Sequence, residues 1–451
     1  MFSTVKRLHF VGIGGIGMSG IAEILLNEGF DVSGSDIAKS ENTDYLEKLG
    51  IKIYIGHNEK NIEGAEVVVY SSAVNPNENP ETIAASQKNI PLLRRAEMLA
   101  EVSRLKYNIA ISGTHGKTTT TSMIGLILIK AGLDPTVIVG GRLRDFGGTN
   151  ARLGKGEWTV VEADEFDRSF LQLFPTIAVV NNIEAEHLDI YKDMNDLTET
   201  FAQFANKVPF YGFIALGIDD PGVKSIYAKV NKKIRTYGFS RNCDVRAERI
   251  IYENRQVRAI IFENNVELGE VTINVPGEHN LKNAMAAITV ARGLNIEFEV
   301  INSALQEFKG VFRRFDIKGE KDGVLYVDDY AHHPTEVKAV LKAARNSWNR
   351  RIVAAFQPHT YTRTMHLHEQ FAASFDDADV IIITDVYPAR EQPIEGITGK
   401  LIADGAMKYG HKNVLYIPTL DELRRQLSDI LKDGDVFITI GAGNICNLSQ
   451  I

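Results

Sequence analysis

Short β-branched runs alternate with segments of helical period along most of this chain. Leu8–Ile13 reads as a strand, a helix follows near Met18–Asn27, and further strands stand at Asp31–Ser35 and Ala65–Tyr70. A helical stretch over Leu92–Val102 precedes the strand Tyr107–Ser112, which opens a second set. That set holds a helix at Ser122–Lys130, strands at Thr159–Ala163 and Thr176–Asn181, and a helix from Asn280 through Ala291. The segment Phe308–Asp316, FKGVFRRFD, interrupts the alternation with a glycine and paired arginines. Beyond it, strands return at Val324–Val327, Arg351–Phe356, Asp379–Thr384, Asn413–Ile417 and Asp435–Ile440, separated by helical segments. Strands alternating with helices build parallel sheets covered on both faces. The pattern predicts an α/β chain of three domains, at 1–104, 105–311 and 312–451, with no short repeat and no low-complexity tract.

Composition agrees with three packed domains, since 451 residues at about 150 per domain give that count. Apolar residues make up 44% and charged residues 24%, which excludes a disordered or fibrous chain. Lys and Arg total 50 against 58 Asp and Glu, a net charge of -8 that disfavours a nucleic-acid or anionic-membrane binder. Anionic ligands must therefore be met by a few placed groups. Cys243 and Cys446 cannot form a disulfide framework, so a reducing compartment is expected. No apolar run approaches the roughly 18 residues of a membrane span, and MFSTVKRLHF does not resemble a signal peptide. A cytoplasmic protein without a membrane partner is the expectation.

Two glycine-rich turns carry the candidate chemistry. Gly12-Ile13-Gly14-Gly15-Ile16-Gly17 lies between a strand and a helix, and Asp36 ends the next strand. This is the Rossmann fingerprint: glycines let the backbone approach a pyrophosphate at a helix N-terminus. The physics specifies a diphosphate, either of NAD(P) or of another nucleotide, and a purely structural turn is the alternative. Ser71 and Ser72, at the end of a later strand, stand where such a ligand would lie, or simply end that strand.

Gly113-Thr114-His115-Gly116-Lys117-Thr118-Thr119 follows the strand Tyr107–Ser112. Its N–H groups can cradle phosphates, Lys117 can neutralise β/γ oxygens, and Thr118 can ligate Mg²⁺. Ile111 stands where the longer P-loop pattern has glycine, so only the shorter G-x-x-G-K-T core is present. Two acidic clusters end later strands: Glu162-Ala163-Asp164-Glu165-Phe166-Asp167 and Asn181-Asn182-Ile183-Glu184-Ala185-Glu186-His187-Leu188-Asp189. Hard carboxylate oxygens beside a triphosphate suit Mg²⁺, and solvated acidic loops are the bland reading. Zinc is disfavoured, because neither C-x-x-C nor H-E-x-x-H occurs.

Seven motifs in order resemble the Mur ligase family across essentially the whole chain: GIGGIGMSG (12–20), GTHGKTTT (113–120), EADEFD (162–167), NNIEAEHLD (181–189), GEHNLKNA (277–284), FRRFD (312–316) and DDYAHHPTE (328–336). The resemblance implies a Rossmann-like N-terminal domain that binds UDP-N-acetylmuramic acid rather than NAD. It further implies a central P-loop ATPase domain with a mostly parallel sheet, and a Rossmann-like C-terminal domain that closes and helps admit the amino acid. It is nearest to the branch that uses L-alanine, forms an acyl phosphate and lacks the carbamylated lysine of later-acting members. ATP and two Mg²⁺ ions, with Mn²⁺ as a substitute, are the implied cofactors, in a monomer or weak homo-oligomer.

Carried across, Gly12, Gly14, Gly15, Ile16, Gly17, Asp36, Ser71 and Ser72 would meet the UDP-sugar. Residues Gly113 to Thr119 would hold ATP, with Lys117 on phosphate, Thr118 and Glu162 on the first metal ion and His187 on the second. Asn280 and Asn283 would face adenine, or cap their helix. Arg314 and Asp329 would reach the phosphate and ribose sides, Arg313 and Arg314 otherwise forming a surface pair. Tyr330, His332, His359 and Arg363 would surround the amino-acid end, with His332 or His359 as the base. Many relatives carry arginine where this chain has Thr360, which bears on the alanine contacts. The competing functions are a muramate–peptide ligase of cell-wall recycling, a nucleotide-sensing module, and an NAD-linked oxidoreductase that would leave Lys117, Glu162 and His187 without a role.

Overall fold

The structure, a computed structural model, describes residues 5–104, 106–141, 150–185, 190–253, 255–389 and 391–450. His187 lies outside the described residues. Three sheets account for the strand pattern. The first runs Lys52–Ile55, Asp31–Asp36, Arg7–Val11, Val67–Tyr70, Leu92–Arg94, all parallel. Its order reverses between Arg7–Val11 and Val67–Tyr70, and open parallel sheets place ligands outside the carboxyl ends at such a switch. Apolar side chains fill both faces: Leu8, Phe10 and Val69 on one, Val11 and Val68 on the other.

The second sheet has the order Ala151–Arg152, Thr136–Ile138, Trp158–Glu162, Tyr107–Ser112, Ile177–Val180, Phe213–Gly217, Ile234–Gly238, Val245–Glu253, Gln256–Glu263, Val266–Ile273. Its middle pairs are parallel, and the short Ala151–Arg152 edge is antiparallel. The central strands are apolar on both faces, as in a sheet covered twice: Ile177–Val180 and Phe213–Gly217 are buried throughout. The third sheet runs Asp316–Lys321, Val324–Asp329, Val436–Ile440, Ile352–Phe356, Val380–Ile383, Val414–Tyr416, parallel except at its first strand.

The chain divides into two compact units. One comprises Met1–Glu248, Ile260–Gly269 and Lys282–Leu305, and the other Arg249–Ala259, Glu270–Leu281 and Gln306–Ile451. Three expectations change in detail. The stretch Leu92–Val102 is a three-residue strand, Leu92–Arg94, followed by the helix Arg95–Ser103. The helix expected from Ser122 begins at Lys117, directly on the glycine turn. The strands Val245–Glu253, Gln256–Glu263 and Val266–Ile273 fall in a region for which the pattern predicted none.

Candidate active site

In the first sheet, the turn after Arg7–Val11 is built by backbone geometry. Gly12 has φ +80°, and the Gly12 and Ile13 N–H groups both donate to the Ser35 carbonyl at 2.8 and 3.0 Å. A Cβ on Gly12 would sit 3.0 Å from Ser71 Cβ, so the two predicted strand ends meet across the switch point. Gly15 precedes the helix Ile16–Asn27 with no side-chain cap, leaving N–H groups at a positive dipole end. Asp36 Oδ2 accepts the Gly14 N–H at 2.8 Å and thereby shapes the turn itself. Ile16 and Ser72 are exposed. Arg95, missed in the sequence, lies over the turn: its Nη1 is 3.1 Å from where a Gly17 Cβ would be. Its cue was the paired arginines Arg94-Arg95 after a strand.

The second turn sits at the end of Tyr107–Ser112, and the sheet order puts beside it the strands that lead into the two acidic clusters. Trp158–Glu162 flanks it on one side and Ile177–Val180 on the other. Gly113 has φ +134° and Gly116 φ +81°, conformations open to glycine but strained for L side chains. The Asn181-Asn182 amides hold this turn. Asn182 Oδ1 accepts the His115 N–H at 2.7 Å, Asn182 Nδ2 donates to the His115 carbonyl at 3.2 Å, and Asn181 Nδ2 donates to Thr120 Oγ1 at 3.0 Å. Thr114 Oγ1 accepts the Glu184 N–H at 2.9 Å, and the His115 ring is 3.4 Å from Glu184. Asn181, Asn182 and Glu184 thus brace the lysine turn, a role the two adjacent amides could have signalled. Thr119 is buried beneath it.

Lys117 Nζ lies 2.8 Å from the Gly113 carbonyl and 2.7 Å from Glu165 Oε2. Glu162 Oε1 accepts the Gly140 N–H at 2.8 Å, and its carboxylate also hydrogen-bonds the Thr118 hydroxyl. Burial pushes the Glu162 carboxyl up, while the Gly140 N–H, Thr118 and Lys117 pull against it. A hydroxyl and a carboxylate joined at the lysine turn are hard oxygen donors, which fits a magnesium ion. Asn283 Oδ1 accepts from Thr120 Oγ1 at 3.3 Å, so this residue joins the turn. Asn280 instead directs its amide to the Pro276 carbonyl at 2.7 Å and braces the start of its own helix.

The second unit gathers the remaining candidates at the carboxyl edge of the third sheet. Val324–Asp329, Val436–Ile440 and Ile352–Phe356 are neighbours, so the loops after them converge. Both Asp329 oxygens are engaged: Oδ2 accepts the Phe315 N–H at 2.6 Å and Oδ1 the Ala331 N–H at 2.7 Å. Burial raises this carboxyl to about 7, against the pull of Arg314 and the two N–H groups. Arg314 reaches Glu336 at 3.4 Å and covers the Tyr330 ring at 5.2 Å. Arg313, partly buried, pairs with Asp328 at 3.2 Å and donates to the Gly441 carbonyl at 2.7 Å.

His332 Nδ1 faces the Tyr330 carbonyl at 3.0 Å, and its ring is 6.0 Å from that of His359. His359 stacks on Tyr387 and lies 3.3 Å from Arg363 Nη1. Burial, then His332 and Arg363, lower the His359 imidazole to about 4, so it is neutral at pH 7. A neutral ring can accept a proton, although a pKa of about 4 makes it a weak base. Thr360 adopts φ +66°, a costly conformation for a β-branched residue, and its N–H donates to the Tyr387 carbonyl at 2.9 Å.

A glycine turn at the switch point of one sheet, a lysine turn with hard oxygen donors on a second, and a third α/β sheet lie in three stretches of chain that ligase family models match in order. Residues 7–107 match the Mur ligase family catalytic domain, 111–291 the Mur ligase middle domain, and 313–443 the Mur ligase glutamate ligase domain. The chain belongs to the Mur ligase family. It is 52% identical to the UDP-N-acetylmuramate–L-alanine ligase of Geotalea daltonii over 450 residues, covering 100% of this chain and 98% of the relative. The corresponding enzyme of Salinibacter ruber is 48% identical over 447 residues, 99% of this chain and 94% of the relative. The crystal structure of the UDP-N-acetylmuramate–alanine ligase of Thermotoga maritima matches with a TM-score of 0.83 at 30% identity, over 98% of this chain and 97% of that one. A murein peptide ligase of Psychrobacter arcticus shares the fold, with a TM-score of 0.71 at 23% identity.

Proposed function

We propose that this protein joins L-alanine to the lactyl carboxylate of UDP-N-acetylmuramic acid, using ATP, in peptidoglycan precursor synthesis in the cytoplasm. The observation that carries the reading is roughly half identity, over the full length, to ligases of that name. The glycine turns supply the matching chemistry: a diphosphate cradle with Asp36, Ser71 and Arg95 around it, and a lysine turn for a triphosphate.

Carboxylate and ammonium do not condense in water, because oxide is a poor leaving group. The lactyl carboxylate oxygen attacks the γ-phosphorus, the bond to the β-γ bridging oxygen breaks, and ADP leaves with that electron pair. The alanine nitrogen, once deprotonated, attacks the acyl carbon, and phosphate departs from the tetrahedral adduct. Such transfer is governed by positioning and charge neutralisation. Lys117 and the N–H groups of 116–119 hold the β- and γ-phosphates. Thr118 and Glu162 would hold a magnesium ion, which supplies charge neutralisation on the phosphate oxygens. In the second unit, Arg314 and Asp329 would serve the nucleotide, and Tyr330, His332, His359 and Arg363 the amino-acid end. His332 and His359 are the two candidates for the base, and burial with neighbouring positive charge makes the His359 ring a weak one.

The test is phosphate release by the purified protein with Mg-ATP and UDP-N-acetylmuramic acid, offered L-alanine, glycine, L-serine or a tripeptide. L-Alanine should give the highest kcat/KM. Glycine and serine, each one small group different, should trail by about 10- to 200-fold. Phosphate release only with the tripeptide would overturn the reading in favour of a recycling ligase.

A further inference from the structure

The first unit contains a buried carboxylate that the reaction above does not use. Glu165 is 1% exposed; its Oε2 lies 2.7 Å from Lys117 Nζ, and its Oε1 has no hydrogen-bond partner among the described residues. Asp164, half-exposed, is another carboxylate near that ammonium, at 3.8 Å. The loop bearing Glu165 is held from several directions. The hydroxyl of Tyr191, itself 1% exposed, donates to the Glu165 carbonyl at 2.6 Å. Asp167 and Arg168 both take left-handed φ values, +51° and +60°. Arg168 is tied to Asp196 and, at 3.0 Å, to Thr200, while its guanidinium covers the Tyr191 ring at 4.8 Å.

Two strained residues, a buried tyrosine and an ion pair thus hold the loop that bears this carboxylate. Strain of this kind persists only where the surroundings over-determine it, and it gathers at functional sites. We propose that Glu165 is a positioning residue that aims the Lys117 ammonium from beneath the phosphate turn and competes with nucleotide phosphate for it. The inference rests on the reading of Lys117 as the ATP-phosphate group. A phosphate oxygen that draws Nζ away from Glu165 leaves a buried carboxylate short of its counter-charge, and that cost opposes binding. The same carboxylate, together with the Gly113 carbonyl at 2.8 Å, fixes the line along which Nζ can point. Competition weakens nucleotide affinity, whereas aim benefits turnover, so neutralising Glu165 moves the two in opposite directions.

The experiment is calorimetric titration of Mg-ADP into wild type and Glu165→Gln, with steady-state kinetics over ATP concentration. Glu165→Gln should bind Mg-ADP more tightly, by roughly three- to tenfold, while kcat falls by at least that factor. Generic damage to the loop would weaken binding and turnover together, so tighter binding with slower turnover separates the two. Glu165→Asp, which keeps the charge but withdraws it by one methylene, should show the same split at smaller amplitude and carries the test should the glutamine variant misfold. Unchanged or weaker Mg-ADP binding in a folded variant overturns the proposal. Failure of the wild-type protein to bind Mg-ADP at all overturns the ligase reading instead.

Discussion

Substitution of Gly116 by alanine tests how the phosphate turn is built, and the structure supplies its own control. Gly116 has φ +81°, and a Cβ there would lie 2.3 Å from Asn283 Oδ1 and 3.2 Å from Asn181 Nδ2. Gly132 has nearly the same φ, +78°, with nothing within 4 Å of its Cβ position. Alanine at either site suffers the left-handed penalty of about 1–2 kcal/mol. Only at Gly116 must the buried Asn283 also move and give up its contact with Thr120 Oγ1, which adds about 1–2 kcal/mol as a lost buried hydrogen bond. Gly132→Ala should therefore cost about 1–2 kcal/mol, and Gly116→Ala about 2–4. Trp158 and Trp348 are the two tryptophans, one in each compact unit. Urea unfolding in a Trp348→Phe background follows Trp158, on the strand beside the lysine turn. Mg-ADP affinity should fall in Gly116→Ala and hold in Gly132→Ala. Equal destabilisation of the two variants, with nucleotide binding intact in both, would refute the packing of Asn283 on the turn.

Two further outcomes follow from the charges. Burial alone would raise the Glu81 carboxyl, but the His9 ring at 3.7 Å, the Ser35 hydroxyl at 2.5 Å and the Asn61 amide at 2.6 Å more than offset it and carry it down to about 2 from 4.5. A depressed carboxyl stabilises the fold above its unfolded pKa and loses that contribution as pH falls through the folded value, here from 4.5 towards 2. The stability gap between wild type and Glu81→Gln should thus reach up to about 3 kcal/mol at pH 7 and narrow by pH 3, and a gap that does not change with pH contradicts the network. Glu162→Gln should raise the half-saturating Mg²⁺ concentration and lower kcat by about 10²–10³-fold; an unaltered Mg²⁺ dependence would remove Glu162 from the metal site.

The strands with long apolar runs were legible because burial on both faces leaves a continuous signal, as at Tyr107–Ser112, which the structure reproduces residue for residue. The start of the Lys117 helix was not, because its first turns are threonines chosen for the phosphate turn rather than for an apolar face. The strands from Val245 to Ile273 were missed because much of their length is only partly buried, which leaves no continuous apolar run to read. A cue existed: Asn264-Asn265, both at positive φ, form the two-residue turn that hairpins favour. Glycine turns can be read locally, since spacing alone defines them. The bracing of Gly113–Lys117 by Asn181 and Asn182 joins residues more than sixty positions apart, and the Glu165–Lys117 pair spans 48, distances at which sequence pattern is silent. Asn280 and Asn283, three positions apart on one helix, also make different contacts: one amide turns back to the Pro276 carbonyl and the other meets Thr120 Oγ1.

Acyl-phosphate chemistry, the centre of the account, is tested most directly by oxygen transfer. UDP-N-acetylmuramic acid labelled with ¹⁸O in its lactyl carboxylate is turned over with Mg-ATP and L-alanine, and the released phosphate is analysed by mass. Attack of the carboxylate on the γ-phosphorus must carry one carboxylate oxygen into phosphate, so singly labelled phosphate should appear in step with the amide. Unlabelled phosphate at full amide yield would contradict the account.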